Sequence, residues 1–224
     1  MKHQGSMGST QMIGIIDYGM GNLRSVQKAF DRLGAESRIL SSPEGVAQCD
    51  RLVLPGVGAF ADGMEHLNAH GWTDVIRGFI GDGRPFLGVC LGMQLLFEGS
   101  LEDAPCSDQP VTGLGVLPGT VERFEGRAFG PGRLKVPHMG WNCLEWQRPD
   151  PLLHGLPQQV YVYFVHSYCA VPQKGKEESV ISARCDYGGP FCGSIWNQNL
   201  WGTQFHPEKS QRAGLQMLAN FAEV

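Results

Sequence analysis

The sequence specifies an α/β fold, a central, mostly parallel sheet flanked by helices, with a β-rich C-terminal half. Three observations carry this expectation. Up to Phe97, short apolar runs alternate with helix-period stretches, the pattern of parallel strands joined by crossover helices. From Gly113 onward, short β-like runs follow one another between turn signals such as Gly188-Gly189-Pro190 and Asn197-Gln198-Asn199. With 224 residues, 42% hydrophobic and 18% charged, the chain is long enough for one large core and has an ordinary globular composition.

In order, Met12–Asp17 reads as a buried strand. Tyr18-Gly19-Met20-Gly21 is a loop, and Asn22 is the expected N-cap of a helix. Leu23, Val26, Phe30 and Leu33 would form that helix's apolar face, and Gly34 would end it. Glu36–Leu40 and Arg51–Leu54 are the next strands, the latter stopped by Pro55. Phe60, Met64 and Leu67 share a helix face, and Trp72–Ile80 continues the helical region. Gly83–Phe97 reads as an apolar strand ending in Gly-x-Cys-x-Gly and running straight into a helix, Gly92–Phe97. The later β-like runs are Thr120–Phe124, Val136–Trp146, Val160–Val165, Val180–Cys185, Phe191–Trp196 and Leu200–Gln204. These would extend or flank the parallel sheet. A helix with Leu215, Leu218, Ala219 and Ala222 on one face closes the chain. No internal repeat or long linker divides it, so one domain over 12–224 is expected. Met1–Gln11 is polar and reads as a leader or tag.

A net charge of −4 gives no reason to expect nucleic acid or an anionic membrane as a partner. No apolar run reaches the ~18 residues of a membrane span. The seven cysteines, Cys49, Cys90, Cys106, Cys143, Cys169, Cys185 and Cys192, include no C-x-x-C pair. A cytoplasmic, reducing setting follows as an expectation, with no metal and no cofactor, and with six of the seven thiols as inert packing.

Cys90 is the exception. Gly88-Val89-Cys90-Leu91-Gly92 ends a strand and enters a helix. A sharp strand-to-helix turn lifts a nucleophile out of a sheet, and flanking glycines relieve crowding there. The positive end of a helix also favours a reactive thiolate. The alternative is a small buried hydrophobe, the role of most free cysteines.

A thiol nucleophile needs a base and a group that orients the base. His206 follows a strand, Pro207 favours an extended conformation at it, and Glu208 lies two residues on. Alone, His-Pro-Glu is also compatible with a solvated loop. His138 and His166 lack such a carboxylate and read as site-lining or structural. The oxyanion formed by attack on a carbonyl needs backbone donors. Leu91 N–H supplies one, and Val57 or Gly58, in the loop Pro55-Gly56-Val57-Gly58, supplies a second.

Gly88-Val-Cys90-Leu-Gly92-Met-Gln94 together with Gln204-Phe-His206-Pro-Glu208 resembles the class I, triad-type glutamine amidotransferases. Asp17–Leu23, Pro55–Gly58, Lys135–Asn142, Tyr163–Tyr168 and His206–Gln211 narrow the resemblance to the glutaminase subunits of imidazole glycerol phosphate synthase. It runs from Met12 to the C-terminus, and Met1–Gln11 lies outside it.

The resemblance implies a flavodoxin-like fold and a type 1 amidotransferase domain over 12–224. It implies that Cys90 attacks the glutamine carboxamide, that His206 moves protons and that Glu208 orients His206. Gly56, Gln94, Glu102, His166, Ser167 and Tyr168 would bind glutamine, with Val57, Gly58 and Leu91 around the oxyanion. A loop acid for Glu102 and an exposed helix position for Gln94 are the alternatives. The implied partner is a (β/α)₈-barrel cyclase subunit in a heterodimer. That subunit uses the ammonia to make imidazole glycerol phosphate and aminoimidazole carboxamide ribonucleotide. By the same likeness Asn22, Trp141, Tyr163 and Lys209 would lie at the interface, though core packing also accounts for Trp141 and Tyr163. Many related amidotransferases carry a different glycine-rich sequence at Pro55–Gly58. The β-branched Val57 therefore implies a peptide that rests with its N–H turned away, and weak activity without the partner. The other readings are a glutaminase serving anthranilate or aminodeoxychorismate synthase, a stand-alone cysteine hydrolase, and an inactive scaffold.

Overall fold

The structure, a computed structural model, describes residues 11–102, 104, 109–146 and 148–224. Ten of the eleven residues read as a leader, and Cys106, lie outside the described residues.

The first half builds the expected parallel sheet. It comprises β1 (Ile13–Ile16), α1 (Leu23–Leu33), β2 (Ser37–Leu40), β3 (Arg51–Gly56), α2 (Phe60–Ala69), α3 (Trp72–Gly81), β4 (Phe86–Cys90) and α4 (Leu91–Gln94). Next come β5 (Phe97–Ser100), β6 (Val111–Thr112), β7 (Leu117–Arg123), β8 (His138–Trp146), β9 (Gln159–His166) and β10 (Tyr168–Pro172). The chain ends with α5 (Glu177–Val180), β11 (Ile181–Asp186), β12 (Pro190–Asn197), β13 (Leu200–Thr203) and α6 (Gln211–Glu223).

The main sheet has nine strands in the order β2-β1-β3-β4-β13-β12-β11-β8-β9. From β2 to β13 neighbours run parallel, and from β13 to β9 antiparallel. The β-rich half thus extends the parallel sheet, and it also flanks it through a second sheet ordered β10-β7-β5-β6. Strands β1, β3 and β4 are buried on both faces, as the central strands of a doubly covered sheet should be. One apolar layer joins α2 and α3 to the sheet, through Phe60, Leu67, Trp72 and Ile76. The other joins α1 and α6 to its opposite face, through Phe30, Val53, Met217 and Phe221.

Four local expectations change. β3 runs through Pro55 to Gly56, pairing Pro55 with Val89 and Gly56 with Cys90. β1 pairs with β3 only as far as Val53, so Pro55 has an edge-like setting where a missing N–H is tolerated. The helix after Cys90 is only Leu91–Gln94, and Phe97 begins a strand instead. Leu95, Leu96 and Phe97 are all fully buried. An apolar run of that kind has no periodicity to separate helix from strand, and pairing with β7 decides it. Asn22 occupies the N-cap position of α1, but its side chain makes no capping bond. Finally, α6 buries Gly214, Met217, Leu218 and Phe221, leaving Leu215 and Ala222 at the margin of the core. The bulkier Met217 and Phe221 set which face turns inward.

Candidate active site

β4 and β13 are adjacent and parallel, with Val89 beside Thr203. Their C-terminal ends therefore deliver Cys90 and, three residues past β13, His206 to one edge of the sheet. Cys90 has φ 54° and ψ −112°, a conformation that costs a non-glycine residue on the order of 1–3 kcal/mol. The strain sits on the cysteine itself, because neither Gly88 nor Gly92 has positive φ. Both glycines are required by close approach. A Cβ on Gly92 would fall 1.8 Å from the Leu54 carbonyl oxygen, and one on Gly88 would fall 2.6 Å from that of Gly92. With only four residues, α4 carries little macrodipole.

His206 is extended, with φ −98° and ψ 101°. Its Nδ1–H donates to Glu208 Oε1 at 2.9 Å, although Glu208 sits in a short 3₁₀ turn. The His206 N–H donates to the Tyr163 carbonyl at 3.0 Å. Ser210 Oγ–H donates to the His206 carbonyl at 2.7 Å while accepting from the Tyr163 N–H at 3.0 Å. His206 is therefore locked to β9 by its backbone. His206 Nε2 has no conventional hydrogen-bond partner among the described residues and faces Cys90. Burial pulls the His206 pKa down, but Cys90 and Glu208 outweigh it and lift the value to about 9.

A cavity of about 400 Å³ opens at this point, lined by Val57, Gly58, Cys90, Leu91, Gln94 and Glu102 on one side. Pro137, Val165, His166, Ser167, Tyr168, His206 and Lys209 complete it. Nearly all the residues singled out for the chemistry thus line one space. Gly56 and Glu208 support it from behind, Gly56 beside Cys90 in the sheet and Glu208 behind His206. Gln94 is buried rather than on an exposed helix face. Its Nε2 donates to the Tyr168 carbonyl at 2.9 Å and to Gln204 Oε1 at 3.0 Å, which leaves its Oε1 as the atom available to a ligand. Glu102 lines the cavity and also accepts the Phe60 N–H at 2.8 Å, at the start of α2. Val57 is exposed at the mouth, and Gly58, at φ +103°, packs against Met20.

Asn22 and Lys209 are exposed, and Trp141 is 46% exposed, which removes core packing as its explanation. Tyr163 is half-buried against it, with ring centroids 6.0 Å apart. Gln204 carries no signal of its own in the sequence, although it lies two residues before His206. It is fully buried and donates to Cys90 Sγ at 3.8 Å. The fully buried Tyr18 hydroxyl is a second residue that sequence reasoning does not find. It lies against Gly56, where a Cβ would come within 2.5 Å of it.

Burial raises the pKa of Cys169, Cys185 and Cys192 to about 12 and pushes Cys49 and Cys143 upward. Cys49, Cys185 and Cys192 are buried, and Cys143 and Cys169 are partly exposed. Among the described residues no cluster of three or more His, Cys, Asp or Glu could hold a metal ion, and no helix is long and apolar enough to cross a membrane.

A strained cysteine on a strand-to-helix turn and a buried His–Glu pair thus meet at the wall of one cavity. The family model for glutamine amidotransferase class-I matches residues 14–224, and the chain belongs to that family. Solved structures share the fold at low identity. PurLQS from Thermotoga maritima gives a TM-score of 0.71 at 14% identity, covering 96% of this chain and 98% of that one. A solved glutamine amidotransferase gives 0.67 at 24% identity, covering 95% and 99%.

Curated relatives are more specific. Imidazole glycerol phosphate synthase subunit HisH of Syntrophotalea carbinolica is 52% identical, over 95% of this chain and all of the relative. The protein of the same name from Geobacter sulfurreducens is 50% identical, over 95% and 98%.

Proposed function

We propose that the chain is the glutaminase subunit of an imidazole glycerol phosphate synthase. It hydrolyses L-glutamine and passes ammonia to a cyclase subunit. The observation that carries this is the buried His206–Glu208 pair, whose unengaged Nε2 faces Cys90 at the wall of the cavity.

The Cys90 thiolate attacks the side-chain carboxamide carbon of glutamine. The resulting oxyanion takes hydrogen bonds from the Leu91 N–H and from the Val57 or Gly58 backbone. Protonated His206 gives its Nε2 proton to the departing nitrogen, and ammonia leaves a glutamyl thioester on Cys90. His206 then takes a proton from water, whose oxygen attacks the thioester carbon. Collapse of that second intermediate releases glutamate and regenerates the thiolate. Glu208, bonded to Nδ1, keeps Nε2 aimed at the reacting atoms and supports the imidazolium. Gln94, Glu102 and the His166-Ser167-Tyr168 segment hold glutamine's amino-acid end, and Gly56 closes the wall beside Cys90.

Ammonia released to water becomes ammonium and loses its nucleophilicity, so the product must pass through a closed interface. Met139 and Tyr161 are 64% exposed and, with Trp141 and Tyr163, make an apolar face on the β8–β9 hairpin. Met139 pairs with Val165, a cavity-lining residue, so this face continues the rim of the site. A large exposed apolar patch of this kind marks a docking surface. It receives a (β/α)₈-barrel cyclase subunit, with Asn22 and Lys209 at its margins. Such a complex works in the cytoplasm.

The test is to mix the chain with a cyclase subunit, then measure glutamate release with and without the cyclase's nucleotide substrate. Stimulated release that disappears in Cys90→Ala supports the reading. Rapid partner-independent turnover would point instead to a stand-alone hydrolase.

A further inference from the structure

Behind the cavity wall, a line of polar side chains runs from the docking hairpin towards Cys90. Its hydrogen-bond directions are fixed at both ends. Asn142 Oδ1 accepts the Cys143 N–H at 2.8 Å, and its Nδ2 donates to the Asp186 carbonyl at 2.8 Å. A backbone N–H only donates and a carbonyl only accepts, so the amide orientation of Asn142 is determined. Nδ2 then also donates to His138 Nε2 at 3.3 Å. His138 Nδ1 lies 3.1 Å from His166 Nε2, and His166 Nδ1 lies 2.8 Å from the Tyr168 carbonyl.

The Tyr168 carbonyl forces the proton of His166 onto Nδ1. Burial holds His166 down to about 3 and His138 down to about 4, so each ring carries one proton near neutrality. The bare Nε2 of His166 must accept from the Nδ1–H of His138, whose own bare Nε2 accepts from Asn142. Every bond points the same way. The Tyr168 carbonyl also accepts from Gln94, which donates to Gln204, which donates to Cys90 Sγ. His138 is stacked on Tyr187 at 4.0 Å and Phe164 at 4.8 Å, which holds its ring orientation.

We propose that Asn142, His138 and His166 form a one-way hydrogen-bonded relay that positions the Ser167–Tyr168 wall of the glutamine site and ties it to the docking hairpin. The proposal rests on the glutaminase reading of the cavity for its substrate, but the proton arrangement does not. All three are positioning residues, and none needs to change protonation during turnover. The relay occupies the inner face of β8, while Met139 and Trp141 alternate onto the outer face. A partner pressing on the outer face therefore bears on the strand that carries the relay.

Two measurements test this. Nitrogen-15 NMR of the imidazole rings should find His138 and His166 both neutral with the proton on Nδ1, the less common tautomer of a free histidine side chain. Nε2 protonation of either ring overturns the relay. The second measurement is glutamine kinetics with a cyclase subunit present. His138→Phe keeps the stacking but orphans His166 Nε2, and should raise the glutamine KM about tenfold with kcat less affected.

Asn142→Asp offers only acceptors and opposes the direction of the chain, so it should raise KM more than Asn142→Leu, which removes the amide's bonds without setting an acceptor against His138 Nε2. Equal effects of Asp and Leu, or an unchanged KM in His138→Phe, overturn the positioning role. If His138→Phe fails to fold, the Asn142 pair and the ring tautomers still decide. Absence of glutamine turnover in the unaltered complex would instead overturn the glutaminase reading and leave the tautomers as they are.

Discussion

Glu208 Oε1 lies 2.9 Å from His206 Nδ1, and both side chains are almost wholly buried, 2% and 3% exposed. A histidine in that position binds its proton more tightly folded than unfolded. Cys90 and Glu208 together lift its pKa to about 9 against an ordinary 6.5, so their contacts with the imidazolium stabilise the fold fully below about pH 6.5. That contribution fades as pH rises through 9. Glu208→Gln keeps an acceptor for Nδ1–H but loses the charge. Its melting temperature should therefore depend less on pH between 6.5 and 9, with the largest deficit against the wild type at the acid end. Turnover should fall by roughly 10²- to 10⁴-fold, the range of an orienting carboxylate. Melting curves across that window check the sign, and a deficit that grew towards pH 9 would contradict it.

Cys90 differs from the other described thiols in facing His206. Iodoacetamide at neutral pH should label Cys90 ahead of Cys49, Cys143, Cys169, Cys185 and Cys192, whose pKa values burial raises. Millimolar glutamine should slow that labelling, and His206→Ala should slow it further. Peptide mass spectrometry locates the label. Modification of Cys143, the half-exposed thiol of β8, before Cys90 would count against an activated nucleophile.

On the proposed mechanism the Pro55–Gly58 loop governs when the thiol works. Val57 stands exposed at the cavity mouth, and Gly58 holds a left-handed φ of +103°. Gly58→Ala should lower partner-stimulated glutamate release at least about tenfold, because the strained residue misdirects the backbone donors. The isolated wild-type chain should be weakly active and rise on adding the cyclase subunit with its nucleotide. Steady-state glutamate assays read both effects, and strong activity of the chain alone would remove the loop as a switch.

The proposed docking rests on the hairpin face. Trp141→Ala removes an aromatic side chain that is 46% exposed, at little cost to folding. It should weaken association with the cyclase subunit by about 2 kcal/mol, some thirtyfold in Kd, as central aromatic anchors do. Titration calorimetry measures this, and an unchanged Kd would move the interface elsewhere.

The three residues of the proposed triad are legible in the sequence because each sits next to its own punctuation. Glycines bracket Cys90, and Pro207 separates His206 from Glu208. The parallel strands are legible as short apolar runs. The end of α4 is not, because Leu95, Leu96 and Phe97 are buried on all sides and suit helix or strand equally. Gln204, the Tyr18 hydroxyl and the His138–His166 contact are hidden for a different reason. Their roles depend on distant groups, 28 positions apart for the two histidines and 114 for Gln204 and Cys90, and no local spacing encodes such distances. The inward face of α6 differs from the expected one because periodicity allows two neighbouring stripes, and side-chain bulk chooses between them.

Two glycine-to-alanine substitutions should behave oppositely. At Gly92 the added Cβ would meet the Leu54 carbonyl oxygen at 1.8 Å, and backbone on both sides cannot yield. Gly92→Ala should cost about 3 kcal/mol or more and push α4 away from β3, taking Cys90 with it. Gly78 lies on the exposed side of α3, with nothing within 4 Å of its Cβ position and no positive φ. There alanine gains helix propensity and restricts the unfolded chain, so Gly78→Ala should add about 0.5–1 kcal/mol. Urea unfolding of both variants reads the two signs directly. Gly78 lies far from the chemistry, so its variant should retain partner-stimulated turnover. A Gly92→Ala protein with native stability would mean that the elbow can open at β3, and that the rigid turn assumed for Cys90 is not needed to hold it.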